Sequence, residues 1–154
     1  MPLRVPSGFI LQSDNVGDTG PSDLAKAVRD DGSADARQVL VHAGFVRGFQ
    51  RLWVKSGGND ENILFLYEFA APSGANEYLQ YSRRSQAGAK VQPFAVASIP
   101  AAYGLKAADK TGSTAAILFA RGRYVAQAVA NGQARSDQTG VVATLAGAQY
   151  TRLP

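Results

Sequence analysis

Two pairs of short apolar segments stand out along the chain. The segments "FVRGFQRLWV" (45–54) and "NILFLYEF" (62–69) are rich in aromatic and β-branched residues, and the Gly- and Asn-rich stretch between them is typical of a turn. The segments "STAAILFA" (113–120) and "RYVAQAVAN" (123–131) are separated by Arg121-Gly122, where the glycine can adopt a positive φ. Both pairs therefore predict β-hairpins.

Two further segments with helical spacing precede the first hairpin. "PSDLAKAVRDDG" (21–32) predicts a helix with Ser22 as its cap and Gly32 as its end. "SADARQVLVHAG" (33–44) predicts a second helix, with Ser33 as its cap and Gly44 at its end.

Each hairpin is followed by a predicted helix. "PSGANEYLQYSRR" (72–84) has Ser73 as the expected cap and a face formed by Ala75, Tyr78, Leu79 and Ser82. "SDQTGVVATLAGAQYTRL" (136–153) starts at a cap of Ser136 or Asp137. Its inward face is either Val142, Leu145, Ala146 and Gln149, or Val141, Leu145 and Ala148.

Between the two halves, "VQPFAVASIPAAYGL" (91–105) is interrupted by Pro93 and Pro100, which favours an edge strand or an extended crossover. The fold class expected from these elements is α+β, with an antiparallel sheet of about five strands built from the two hairpins and with helices packed on one face. We expect a single domain over residues 1–154. Within it, residues 1–44 form an acidic helical segment on the sheet, and residues 45–154 form two strand–strand–helix halves.

The charge distribution modifies this picture. The chain has 154 residues and a net charge of +4, but residues 1–35 contain three basic and six acidic side chains. The remaining residues contain 13 basic and six acidic side chains, and the basic residues are scattered. An acidic segment lying across a basic body explains this asymmetry more simply than a nucleic-acid surface does.

The triplet Asp18-Thr19-Gly20 matches the active-site sequence of aspartic proteases. Such an enzyme needs its aspartate at the end of an apolar strand, where two buried carboxylates can share a proton. Here the preceding residues 13–17 are mostly polar and flexible, and Pro21 follows the triplet. We therefore interpret it as a loop that leads into the first helix.

Other catalytic arrangements find little support. The chain has no cysteine, and its single histidine, His42, lies in the last turn of a predicted helix. It also lacks the Gly-x-Ser-x-Gly, Gly-x-Gly-x-x-Gly and Walker motifs. We predict that the protein is not an enzyme and that it has no catalytic residues, metal site or cofactor. The one carboxylate expected to be partly buried is Glu68. It could be an acid with a raised pKa, but we favour an ion pair with an arginine on a neighbouring strand.

One strand face is a candidate binding surface. A period of two places Phe45, Arg47, Phe49, Arg51 and Trp53 together, and we take the first four as candidate ligand-binding residues. The pattern is similar to the stacking surface of an RNA-recognition strand, but it departs from that motif at Gln50 and Arg51. The alternative is that the aromatic side chains pack beneath helices, with Trp53 in the core and any cleft near Phe45 and Arg47. We favour this alternative and expect no nucleic-acid partner.

The chain also resembles a group of uncharacterised extracytoplasmic domains of actinobacteria, which occur in lipoproteins and membrane-anchored proteins. The resemblance covers most of the chain, including "PSGFILQSDNVGDTGPSDLAKAVRDDG", "LFLYEFAAPSGANEYL" and "LFARGRYVAQAV". It implies a PsbP-like or cystatin-like α+β sandwich at the cell envelope, with a binding or sensing role. Any membrane attachment is then expected through an anchor outside this sequence.

Taken together, these patterns lead to one functional hypothesis with two rivals. We expect a non-enzymatic extracytoplasmic domain that binds a protein partner or a small apolar or acidic ligand. The rivals are a module that binds RNA or another polyanion, and a hydrolase of unfamiliar type.

Overall fold

The computed structural model describes residues 7–13 and 19–154, which contain eight β-strands and four α-helices. The strands are β1 (Phe9–Leu11), β2 (Gly20–Ser22), β3 (Phe45–Lys55), β4 (Glu61–Phe69), β5 (Gln92–Phe94), β6 (Tyr103–Ala108), β7 (Ser113–Arg121) and β8 (Tyr124–Gly132). The helices are α1 (Leu24–Asp31), α2 (Ala36–His42), α3 (Pro72–Ser85) and α4 (Thr139–Tyr150).

The strands form one antiparallel sheet in the order β1-β3-β4-β8-β7-β6-β5, and β2 also pairs with β3. The predicted hairpins β3–β4 and β7–β8 are confirmed, and the pairing of β4 with β8 joins them. At the turn between β7 and β8, Gly122 has a φ of 54°, which glycine adopts without a steric penalty. Because β3 is eleven residues long, its outer edge accommodates both β1 and β2, which pair with residues 53–55 and 48–50.

The sheet is larger than the predicted five strands. The α+β class is correct, but β1, β2 and β6 were not predicted as separate strands. β1 and β2 have three residues each, too few for an alternating pattern to be recognised. β6 follows Pro100 in the segment that we expected to be an edge strand or a crossover, and β5, which contains Pro93, does form the sheet edge.

Helices cover both faces of the sheet, so the prediction of helices on one face is wrong. One face, here the α3 face, packs against α1, α2 and α3 through a buried cluster that includes Leu40, Tyr78 and Leu118. The opposite face, the α4 face, packs against α4 through a second cluster that includes Ile117 and Leu145. The physical reason is visible in β7, where residues 117–119 are consecutive, apolar and all buried. A strand with apolar residues on both sides must be covered on both sides.

The ends of the helices differ from the prediction by a few residues. Asp23, and not Ser22, caps α1, because its carboxylate accepts a hydrogen bond of 2.8 Å from the Lys26 backbone N–H while Ser22 belongs to β2. Ser33 does not cap α2, since its hydroxyl bonds to Asp31 and Tyr81. Helix α3 begins at Pro72, one residue before the expected cap. In α4 the buried residues are Val142, Leu145, Ala146 and Gln149, the first of the two predicted faces.

Two acidic residues near the ends of α1 and α2, Asp31 and Asp35, bond to tyrosines of α3, whereas Asp30 pairs with Lys26 of its own helix. The Tyr78 hydroxyl donates to Asp31 over 2.7 Å, and the Tyr81 hydroxyl donates to Asp35 over 2.6 Å. Burial, followed by the nearby Asp31 carboxylate, raises the pKa of Tyr78, so the phenol remains a donor. These contacts hold α1 and α2 on α3 through hydrogen bonds from neutral donors.

Candidate functional site

Helix α4 packs mainly on β7 and β8 and covers only the end of β3 and β4 around Trp53 and Leu64, which leaves the other end of the α4 face of these two strands open. A groove of about 350 Å³ lies there, with Pro21 on one side and Tyr124 on the other. Its floor is formed by Phe49 and Leu66, which are cross-strand partners and are both only partly buried. Partly exposed apolar side chains on a sheet face that no neighbouring helix covers are the usual basis of a ligand groove.

A β-bulge determines which predicted residues reach this groove. The pairing of β3 with β4 shifts register between Phe45 and Arg47, so that the extra residue, Val46, is 55% exposed. Beyond the bulge, Arg47, Phe49 and Arg51 follow the expected period of two on the α4 face. The structure therefore places three of the four predicted site residues on one strand face, and two of them, Arg47 and Phe49, line the groove.

Phe45 lies on the opposite face, so the prediction that it shares a surface with Phe49 is wrong. Its ring packs edge-on against Tyr67 and Phe69, with centroid distances of 5.4 and 6.2 Å. Both partners belong to the cluster beneath α3. The bulge reverses the side on which β3 places its first residue, and a strict alternation of two cannot represent that change.

Trp53 continues the same strand face but belongs to the core, as predicted. Its side chain is fully buried beside Leu64 and residues of α4, and within the part of the chain that the structure describes its Nε1 atom has no hydrogen-bond partner. The groove therefore ends before Trp53. An opening near Arg47 agrees with the expected position, whereas Phe45 lies outside it.

Glu68 is the electrostatic centre of the groove. It is buried, and its two carboxylate oxygens pair with the Arg47 Nε and the Arg123 Nη2 atoms, each over 2.6 Å. The predicted ion pair with an arginine of the adjacent strand is thus confirmed, and the β7–β8 turn contributes a second one. The hydrogen bond to Glu68 also raises the pKa of Arg47. The carboxylate consequently fixes two guanidinium groups at the rim of the groove.

The arginine side chains combine exposure with aromatic contacts. Arg47 and Arg123 are 74% and 50% exposed, so each keeps N–H donors that face solvent. The guanidinium of Arg51 lies over the Phe49 ring at 5.5 Å, and that of Arg123 lies over the Tyr124 ring at 5.9 Å. With two arginines paired to one glutamate and a third beside Phe49, the groove has an apolar floor and a cationic rim.

Leu66, Tyr124 and Arg123 were missed as site residues. They lie on β4, at the start of β8 and in the turn before it, and only the pairing of these strands places them beside Arg47 and Phe49. The one local sequence signal for Arg123 and Tyr124 was the "RGRY" turn. Residues that follow a tight turn lie at the end of the sheet, which is where the groove is.

Other features from the sequence lie elsewhere. His42 is exposed, and its Nδ1 atom is 2.6 Å from Glu77 on α3. Asp18 lies outside the described residues, whereas Thr19 is buried and accepts a hydrogen bond from the Leu52 backbone N–H over 3.1 Å. Residues 7–13 and 19–154 contain no group of three His, Cys, Asp or Glu side chains arranged to hold a metal ion. Among the helices that the structure describes, none has the length and apolar character needed to cross a membrane.

Comparison with known proteins supports the fold. No family model matches the chain, and no curated protein sequence matches it significantly. Among solved structures, the chain is similar to the extracellular domain of PknH from Mycobacterium tuberculosis, with a TM-score of 0.56 and 12% sequence identity. The match covers 88% of this chain and 79% of that domain. At this level of identity, the likeness establishes a common fold.

Proposed function

We propose that the protein is an extracytoplasmic binding domain whose ligand occupies the groove over β3 and β4. The location is supported by the shared fold with the extracellular domain of PknH and by the resemblance to actinobacterial extracytoplasmic domains. Attachment to the cell envelope belongs to the same proposal. The observation that carries the site is the open apolar floor beside two arginines held by one buried glutamate.

The chemistry of the groove selects an apolar molecule with an acidic group. Phe49, Leu66 and the Tyr124 ring can bury an acyl or aryl body. Arg47 uses its Nε atom for Glu68, which leaves its two Nη groups to bind a carboxylate in a bidentate manner. A volume of about 350 Å³ is at the lower end of the range for small-molecule sites, which favours a compact or singly branched ligand.

We also propose that the groove does not catalyse a reaction. Glu68 is the only carboxylate that lines it among the described residues, and both of its oxygens are engaged by arginines. With each oxygen engaged by a guanidinium group, the carboxylate has no oxygen free to exchange a proton with a bound ligand. His42, the other candidate for proton transfer, is bonded to Glu77 on the α3 side of the molecule.

Titration with sodium decanoate, followed by calorimetry, tests the groove. Arg47→Ala should weaken decanoate binding by about tenfold, because one charge-assisted contact with the carboxylate is lost. Arg84→Ala is the control: it removes the same charge as Arg47→Ala, but from the exposed side of α3, and it should leave the affinity for decanoate unchanged. Decanol, which has no carboxylate, should bind both variants alike. The proposal is wrong if decanoate does not bind saturably, or if the two arginine variants behave identically.

Nucleic acid is the second candidate, because Phe49 and Tyr124 beside three arginines form a surface on which bases could stack. We expect no micromolar binding of single-stranded RNA or DNA at an ionic strength of about 0.15 M. Glu68 neutralises part of the rim, and the groove is short for a strand of several nucleotides. Fluorescence anisotropy with labelled oligouridylate and oligothymidylate measures this. Tight, salt-sensitive binding that disappears in both Arg47→Ala and Arg51→Ala would favour the nucleic-acid function instead.

A further inference from the structure

A second pocket lies on the α4 face at the other end of the sheet. Its volume is about 410 Å³, and it is bordered by the β5–β6 pair, the first residues of β7 and the loop that precedes α4. Ser113, at this end, pairs with Gly132, whereas the groove lies at the opposite end, where Arg121 pairs with Tyr124. The two openings are therefore separate sites on one face.

Polar and charged side chains line this pocket together with three alanines, and most of its charges are positive. Lys90, Lys106 and Arg135 surround it, together with a single carboxylate, Asp137. Asp137 accepts a hydrogen bond of 3.0 Å from the Thr139 backbone N–H, which lowers its pKa and engages one of its oxygens. Within the described ranges 7–13 and 19–154, none of the three cations lies within ion-pair distance of a carboxylate, although Lys106 and Lys90 are near enough to help lower the pKa values of Asp137 and Asp109. An excess of unpaired positive charge around a cavity attracts an anion.

A hydrogen-bond network holds the loop that carries Arg135. The Ser113 hydroxyl bonds to the Gln133 carbonyl and to the Ser136 hydroxyl, each over 2.9 Å. The Gln138 side-chain amide donates to the same Ser136 oxygen over 2.7 Å. Within this loop Arg135 has a φ of 68°, a left-handed conformation that is uncommon for a residue with a side chain. The loop is thus fixed to the sheet with the arginine at the pocket.

We propose that this pocket binds the phosphate or sulfate group of a small molecule. A tetrahedral oxyanion accepts charge-assisted hydrogen bonds from guanidinium and ammonium groups, and this pocket is lined by one guanidinium and two ammonium side chains. The polar lining, which also includes Gln92 and Thr114, suits an ion that is bound through donors more than an apolar body. This site therefore differs in chemistry from the groove and does not depend on it.

The position of Arg135 offers a variant that preserves the fold. Arg135→Gly removes a cation and also the unfavourable left-handed conformation, because glycine adopts positive φ freely. Its melting temperature should therefore stay close to that of the parent protein. Lys106→Ala removes a second cation from an exposed strand position.

Calorimetric titration with inorganic phosphate, pyrophosphate and sulfate in a low-chloride buffer tests the proposal. Pyrophosphate should bind saturably, and Arg135→Gly and Lys106→Ala should each weaken it by about tenfold. Arg37→Ala, an equal change of charge on the exposed side of α2, and Arg47→Ala in the groove should have no effect. The proposal fails if neither a soluble anion nor an anionic vesicle binds in a way that depends on Arg135, or if Arg37→Ala weakens binding as much as Arg135→Gly does.

Sedimentation with phosphatidylglycerol vesicles identifies the source of the phosphate. If free pyrophosphate and sulfate bind while vesicles do not retain the protein, the site takes a soluble ligand. If vesicles retain the parent protein and lose it on Arg135→Gly, the phosphate belongs to a lipid headgroup. Retention that Arg135→Gly and Lys106→Ala leave unchanged, together with the absence of soluble anion binding, would overturn the assignment.

Discussion

Trp53→Ala is expected to lower the free energy of unfolding by about 3–5 kcal/mol. Trp53 is fully buried in the cluster between the sheet and α4, so truncation leaves a cavity lined by residues such as Leu64 and Val142. Urea denaturation followed by circular dichroism measures the change. Val46→Ala, at the exposed bulge, is the control and should stay within about 0.5 kcal/mol of the parent protein.

A loss below about 1 kcal/mol for Trp53→Ala would show that this part of the sheet is not a packed core. Fluorescence of the parent protein provides a second measurement, because Trp53 is the only tryptophan. Its emission should be blue-shifted and should not respond to iodide.

Gly74→Ala is the second substitution with a large expected effect. Gly74 lies in the first turn of α3, and an added Cβ atom would overlap the carbonyl group of Ala43 at the end of α2. The two helices must then separate, at a cost of about 1–3 kcal/mol or more. Thermal and urea denaturation should both register the loss.

The matched control for this substitution is Gly147→Ala. Gly147 is in the interior of α4, and its Cβ position has no neighbouring atom within 4 Å. The same change should therefore raise stability by about 0.4–1 kcal/mol, through the lower entropy of the unfolded chain. Equal effects of the two substitutions would contradict the close contact between α2 and α3.

Long periodic segments were predictable from the sequence because their own residues determine them. The aromatic and β-branched residues of 45–54 and 62–69 correspond to β3 and β4, and the helical spacing that includes Tyr78 and Leu79 corresponds to α3. β1 and β2 depend instead on the length of the β3 edge, a property of their partner. The second helical layer was signalled by the apolar run 115–119 in β7, whose residues face both sides of the sheet.

The candidate groove was predicted in part. The period of two correctly placed Arg47, Phe49 and Arg51 together, and the position of Glu68 correctly indicated its ion pair. The exclusion of Phe45 could not be predicted, because a bulge depends on how β3 pairs with β4 and Val46 has no distinctive sequence signature. Tyr124 enters the site only through strand register.

The basic pocket was not predicted at all. Its three cations, Lys90, Lys106 and Arg135, come from separate parts of the chain, and they converge because β5, β6 and the 133–138 loop meet at one end of the sheet. Scattered basic residues without a run gave no sequence signal for such a site. Charge counts alone therefore underestimate local concentrations of charge in a folded domain.

A heteronuclear NMR titration with decanoate tests the central claim, that the open face of β3 and β4 is the ligand site, most directly. The shift changes should be largest at the side chains of Arg47, Phe49, Leu66 and Tyr124, and should saturate together. Resonances of the loop around Arg135 and of the exposed residues of α3 should remain unchanged. Saturable changes that centre on any other part of the molecule, with the groove resonances unaffected, would contradict the claim.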